Sequence, residues 1–212
     1  MVVGSVLNLA DAVIHENGRP CRARRVGPVH AYAGFPLMYH WRVLPGSPPE
    51  GFTDGFGGLE GAIARGSAFM SSRELVHFDA HFANTLTDGR RLYFADFGLA
   101  LSSRFDLSAD ETEFLSNRRA YDHCYTPSHL LHHHLLDGVR GDTERGAFLC
   151  DWIAGRRPGG IPAEIAAIID RHARPAVVLD GFHRRLLTKS KRTRFPTVEI
   201  ARELGAGATV AS

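Results

Sequence analysis

Lysine is nearly absent from this sequence. Of its 25 basic residues, only Lys189 and Lys191 are lysine, and none precedes Asp79. Chemistry that needs a lysine ammonium in that part of the chain therefore lacks its residue, and arginine's planar fork is not a direct substitute. Cysteine is also scarce. Cys21, Cys124 and Cys150 are odd in number and far apart, which excludes a disulfide framework and a zinc-type cysteine pair. A reducing, cytoplasmic setting is expected. The 25 basic residues nearly balance 23 acidic ones, and the net charge of +2 does not by itself imply a polyanionic partner. No run approaches the roughly 20 apolar residues that span a bilayer, so no membrane partner is expected. The opening "MVVGSVLNLADAVIHENG" has no basic start, and Asp11 interrupts it, so no signal peptide is expected.

What remains is a chain of 212 residues, 44% apolar and 23% charged. That is globular composition, with length for one domain or two small lobes. Residues 1–34 are poorly patterned and carry a basic patch at Arg19, Arg22, Arg24 and Arg25. "FPLMYHWRVLPG" (35–46) predicts a short buried strand closed by a Pro-Gly turn, and "SPPEGFTDGFGG" predicts a loop. Helical spacing follows at Leu59, Ile63 and Phe69, weakened by Gly61 and Gly66. "NTL-TDGR-RLYFA" predicts a hairpin turning at Asp88-Gly89, with Leu86 facing Arg91 and Asn84 facing Tyr93. Beyond it the chain turns helical. A capping box at Ser108–Glu111 opens a helix to about Tyr121. Further helices are expected over 128–136, 143–154, 162–173, 175–187 and 197–204, with Pro162 and Pro175 in first turns and Gly155 as a stop. "GAGATVAS" reads as a frayed tail. Scant strand followed by many helices predicts an α+β fold.

The candidate site lies in "VHFDAHFANTLTDGRRLYFADFG", 76–98. Two histidines, two aspartates and an asparagine sit there among apolar residues, where polar groups cost free energy unless paired or used. The hairpin brings Asn84, at the open end of one strand, near Asp96, just past the other. An amide oxygen and a carboxylate are hard donors that suit Mg²⁺, which takes few protein ligands and completes its shell with water and phosphate. Asp79 approaches the same point as a base or an orienter of an attacking hydroxyl.

"HFDAHFAN" with "ADFG" resembles the catalytic and metal-binding loops of the protein-kinase-like superfamily. His77-x-Asp79, Asn84 five residues on, and Asp96-Phe97-Gly98 beyond a hairpin all match its pattern. The resemblance implies a protein-kinase-like fold: a mainly helical C-lobe with a truncated N-terminal β region. It implies domains at 1–46 (remnant N-lobe and hinge-like strand), 47–195 (helical C-lobe) and 196–212 (C-terminal helix and tail). It implies Asp79 as catalytic base, His77 as the structural histidine of the catalytic loop, and Asn84 and Asp96 holding Mg²⁺ on ATP. Phe97 would pack against the helical core, and 36–46 would be the hinge where adenine docks. The acceptor would be a Ser/Thr hydroxyl of a protein or a small molecule. Asp79-x-His81-x-x-Asn84 is similar to aminoglycoside and choline kinases, whereas "DFGLA" looks more like protein kinases. Phe78 replaces the arginine that pairs with an activation-loop phosphate, so no such switch is expected.

The phosphate clamp of that family is missing. No lysine precedes Asp79, and Arg22, Arg24 and Arg25 are the phosphate contacts left. "GFGGLEG" (55–61) does not fit a glycine-rich lid in spacing or order and reads as a loop. The short segment before the catalytic loop predicts a curtailed helix. Weakened or absent catalysis is therefore expected. The alternatives are a non-catalytic pseudokinase scaffold or a gene fragment, with self-association through the incomplete N-lobe. A distant alternative is an iron(II) oxygenase, with His77, Asp79 and either His132 or His134 as ligands. "SHLLHHHLL" invites zinc at His129 and His133, with Cys124 nearby. A helix with buried leucines and edge histidines explains it more simply. The run Arg184–Arg194 suits nucleic acid or an acidic partner, although the low net charge favours a solvated helix end and makes nucleic acid unexpected.

Overall fold

The structure is a computed structural model and describes residues 12–15, 20–22, 55–87 and 92–208. The strand expected at 35–46, Arg19, Arg24 and Arg25, the Asp88-Gly89 turn and the last four residues of the tail lie outside them. Helix accounts for 65% of the structure, beside a small antiparallel sheet, which makes the architecture α+β. The chain divides into two compact units, Met1–Asp106 and Leu107–Ser212. Among the described residues, no helix is long and apolar enough to cross a membrane.

In the first unit, β1 (Ala12–His15), β2 (Pro20–Arg22), β4 (Thr85–Thr87) and β5 (Leu92–Phe94) form one antiparallel sheet in the order β2-β1-β5-β4. β1 and β2 fall where the sequence shows little pattern, because strands of three or four residues barely register as alternation. A second, two-stranded pair joins β3 (Leu75–Val76) to β6 (Leu101–Ser102). It ties together the two ends of the segment that carries the candidate site.

Helix α1 spans Gly55–Ser72, so "GFGGLEG" is neither lid nor loop but the start of a helix, and the helix before the catalytic loop is not curtailed. Burial explains why. Leu59, Ala62, Ile63 and Met70 are all at most 2% exposed, an apolar stripe that outweighs the low propensity of glycine. Phe69 sits at the edge of that stripe, half-buried, with the Arg73 guanidinium 5.4 Å from its ring centre. Gly66 has a specific use. A Cβ there would lie 2.5 Å from the ring of Phe94 on β5, so its absence lets helix and sheet close up.

The hairpin pairs Thr85 with Phe94, Leu86 with Tyr93 and Thr87 with Leu92. The expected register, Leu86 with Arg91 and Asn84 with Tyr93, is off by two residues. An even slip leaves every side chain on its expected face, so the alternation could not reveal it.

In the second unit, α2 spans Ala109–Ser116 behind the expected capping box: the Ser108 hydroxyl accepts from the Glu111 N–H, and the Glu111 carboxylate accepts from the Ser108 N–H. It ends at Ser116, short of Tyr121, where a new helix begins. That helix, α3 (Tyr121–Leu130), runs through a π-helical turn at Leu131–Leu135 into α4 (Leu136–Val139), replacing the single helix expected at 128–136. Its inward face is as expected: Leu130, Leu131, Leu135 and Leu136 are at most 2% exposed. α5 covers Arg145–Ile153 and is capped by Glu144. Gly155, at φ +83°, lies just past its C-cap residue Ala154, in the left-handed backbone that stops helices.

α6 runs unbroken over Ala163–Thr188 with Pro175 inside it. The helix boundary expected before Pro175 is absent. Ile165, Ile168, Ile169, Ala176, Leu179 and Phe182 are all buried along its length, and that burial outweighs the hydrogen bond the ring removes. α7 spans Thr197–Ala208, longer than the expected 197–204. Cys124, Leu179, Phe182, Phe195 and Ile200 pack the core between α3, α6 and α7.

Candidate active site

The loop after β3 begins with His77, which is fully buried. Its Nδ1 accepts the Asp79 N–H at 3.3 Å, and its Nε2 lies 3.1 Å from the Ala95 carbonyl. Nδ1 is thus the acceptor, so the hydrogen sits on Nε2 and is donated to Ala95. Burial pushes the pKa of His77 down. The bond to Ala95 and the charges of Asp79 and Asp96 oppose this without cancelling it. A neutral imidazole therefore joins the loop that carries Asp79 to the strand end that carries Asp96. The Phe97 ring packs on it, with centroids 4.5 Å apart.

Getting from His77 to Asp79 requires a sharp turn. Phe78 makes it with φ +64°, a left-handed backbone that a bulky residue rarely adopts without tertiary support. Asp96 is also left-handed, at φ 58° and ψ 68°, and its carboxylate accepts from the Gly98 N–H at 3.4 Å. Short polar side chains tolerate this region best.

Asn84 ends a 3₁₀ turn, Phe82–Asn84. Its side-chain NH₂ donates to the Asp79 backbone carbonyl at 3.0 Å and to Asp79 Oδ2 at 2.9 Å. Its backbone carbonyl accepts the Ala95 N–H at 2.8 Å. Asn84 therefore stands opposite Ala95, and Asp96 is the next residue. The corrected register draws Asn84 and Asp96 closer than expected, about one strand step of 3.3 Å apart along the ladder. Asp79 and Asn84 are half-buried, while Asp96 is exposed.

Asn84 and Asp96 offer an amide oxygen and a carboxylate, hard donors of the type that magnesium takes. With the Asn84 NH₂ committed to Asp79, its amide oxygen is the atom left to meet a cation, and Asp96 adds an exposed carboxylate. Two hard oxygens on a solvent-facing edge leave most of a shell for water and phosphate. Among the described residues, no group of three or more His, Cys, Asp or Glu could hold a metal on its own, so transition-metal sites are not assembled. Both ring nitrogens of His77 are occupied, which removes it as an iron ligand beside Asp79. Cys124 is the thiol nearest His129 and His133 in sequence. It is buried and bonded to the Tyr121 carbonyl at 3.1 Å, and burial pushes its pKa up to about 12.

His81 has a role the sequence reading did not give it. Its Nε2 lies 3.4 Å from Asp79 Oδ1, so Asp79 is held from both sides, by Asn84 and His81. The i, i+2 spacing allowed this. The Phe78 turn and the Ala95 carbonyl left no signal, since nothing in a side chain announces either. Arg22 falls in β2, and Arg104 is the basic residue nearest the end of the first unit.

Comparison with models of known protein families and with curated proteins gives no match.

Proposed function

We propose that this chain is a kinase-like phosphotransferase that moves a phosphoryl group from Mg²⁺-ATP to a hydroxyl. The observation that carries this reading is the linked set His77, Asp79, Asn84 and Asp96, in which one hairpin register joins a candidate base to a candidate metal edge. Asn84 fixes one carboxylate oxygen of Asp79, and the other faces His81 and solvent. A carboxylate so held can orient an acceptor hydroxyl and take its proton, an effect worth about 10²- to 10⁴-fold in rate. The Asn84 amide oxygen and the Asp96 carboxylate would hold Mg²⁺. When bound, that ion neutralises charge on the phosphate oxygens. His77 stays neutral and structural, fixing the relative position of the two loops.

The loop spacing is similar to small-molecule kinases, and a small hydroxyl compound or a protein Ser/Thr side chain is the acceptor class. No lysine precedes Asp79 in this chain, so nucleotide affinity is expected to be weak. Release or transfer of labelled γ-phosphate tests the reading. Turnover is expected in the unaltered protein, with a loss of about a hundredfold or more in Asp79→Asn while Mg²⁺-ATP binding persists. Binding without turnover in either protein would favour the non-catalytic scaffold.

A further inference from the structure

The second unit holds a groove of about 570 Å³ that the phosphotransfer reading does not use. One wall is a stripe of α6, Val177, Asp180, Gly181 and Arg184, spaced so that all share a face. The other wall is the first turns of α5 at Gly146, Ala147 and Cys150, and His132 of the π turn also lines it. Both of its acids have a neighbour. Glu144 caps α5 by accepting from the Ala147 N–H at 3.0 Å, and Asp180 lies 3.0 Å from His132 Nε2, an ion pair only when that imidazole is protonated. Two glycines keep the groove open. A Cβ on Gly181 would meet only the Arg185 guanidinium, at 3.4 Å, and one on Gly146 only the Glu144 side chain.

Arg184 is shared with a second feature. From Arg184 to Arg194 the chain carries six cations and no acid, so subtracting that +6 from the net +2 leaves −4 on the rest of the chain. Among the described residues none of the six is in an ion pair, and all six are exposed. The turn that presents them is fixed. The Thr193 N–H donates to the Ser190 carbonyl at 3.1 Å and the Arg192 N–H to the Ser190 hydroxyl at 3.1 Å. Phe195, 7% exposed, anchors its far end in the core. A turn whose backbone is already ordered loses little further backbone freedom on binding.

We infer that this groove and the basic turn together bind an acidic polypeptide segment carrying aliphatic side chains. Charge complementarity calls for carboxylates along the turn. Leu187 and Val198, 74% and 70% exposed, offer aliphatic contacts beside them. Of the aromatics nearby, Phe182 and Phe195 are buried, and Phe114, 41% exposed, has the Arg118 guanidinium 3.7 Å from its ring centroid. The inference is independent of phosphotransfer in the first unit.

The test is fluorescence anisotropy of the full chain with a short labelled peptide of alternating Glu and Leu. Double-stranded DNA and phosphatidylserine vesicles serve as competing probes. Two variants are compared: Gly181→Leu, which fills the groove, and Lys189→Gln/Lys191→Gln/Arg192→Gln, which is wholly on the surface. The expected result is salt-sensitive peptide binding, weakened about tenfold or more by each variant, a change of about 1.4 kcal/mol each, with helical circular dichroism unchanged. Absent peptide binding overturns the inference. So does equal binding in the triple variant, or tighter binding to DNA or vesicles than to peptide. If Gly181→Leu loses helix, the triple variant alone decides.

Discussion

Both ring nitrogens of His77 are committed, so replacing the ring removes two bonds at once. His77→Phe keeps an aromatic against Phe97 but leaves the Ala95 carbonyl and the Asp79 N–H unpaired. A loss of about 1–3 kcal/mol in denaturant unfolding is expected. The same residue sets a pH dependence. Its folded pKa is depressed below the ordinary 6.5, so the unfolded chain binds the proton first. Stability is therefore full above pH 6.5 and falls as pH drops, at up to about 1.4 kcal/mol per pH unit, until the folded pKa is passed. His123 and His183, also depressed chiefly by burial, act in the same direction. Thermal melts across that range should show the slope, and His77→Phe should flatten part of it. At this scale the sequence displays the side chains themselves: Asp79 and Asn84, which the fold bonds to each other, and Asp96, next to the residue that pairs with Asn84. It was silent where the backbone does the work, as at Phe78.

Helices and strands show what local pattern can and cannot carry. The capping box at Ser108 was readable because both halves are side chains, and Ser108→Ala should cost about 1 kcal/mol in thermal unfolding. Gly66 was readable only as a flaw in a helix. In the fold it is the point where α1 meets Phe94, whose ring also lies 6.1 Å from that of His77. Gly66→Ala, which stabilises most helices, should instead destabilise this one by about 1–3 kcal/mol through overpacking. An increase in stability would contradict that close approach. Pro175 misled for a related reason: its ring argues locally for a boundary, but α6 is held by side chains along its whole buried face. The hairpin register eluded pattern because an even slip preserves alternation.

At the scale of the molecule, the α+β character followed from element order, and the two units each have their own buried residues. Composition carried less. A net charge of +2 hides a basic run of six set against a remainder of −4, and an average cannot show segregation. The lack of lysine before Asp79 has the largest consequence for the proposed phosphotransfer, since it predicts weak rather than tight nucleotide binding. Calorimetry of ATP binding with and without Mg²⁺, in the unaltered chain and in Asp96→Ala, tests that directly. The site described here predicts weak binding that requires Mg²⁺ and disappears in Asp96→Ala. Equal binding in both proteins, or binding indifferent to Mg²⁺, would contradict it.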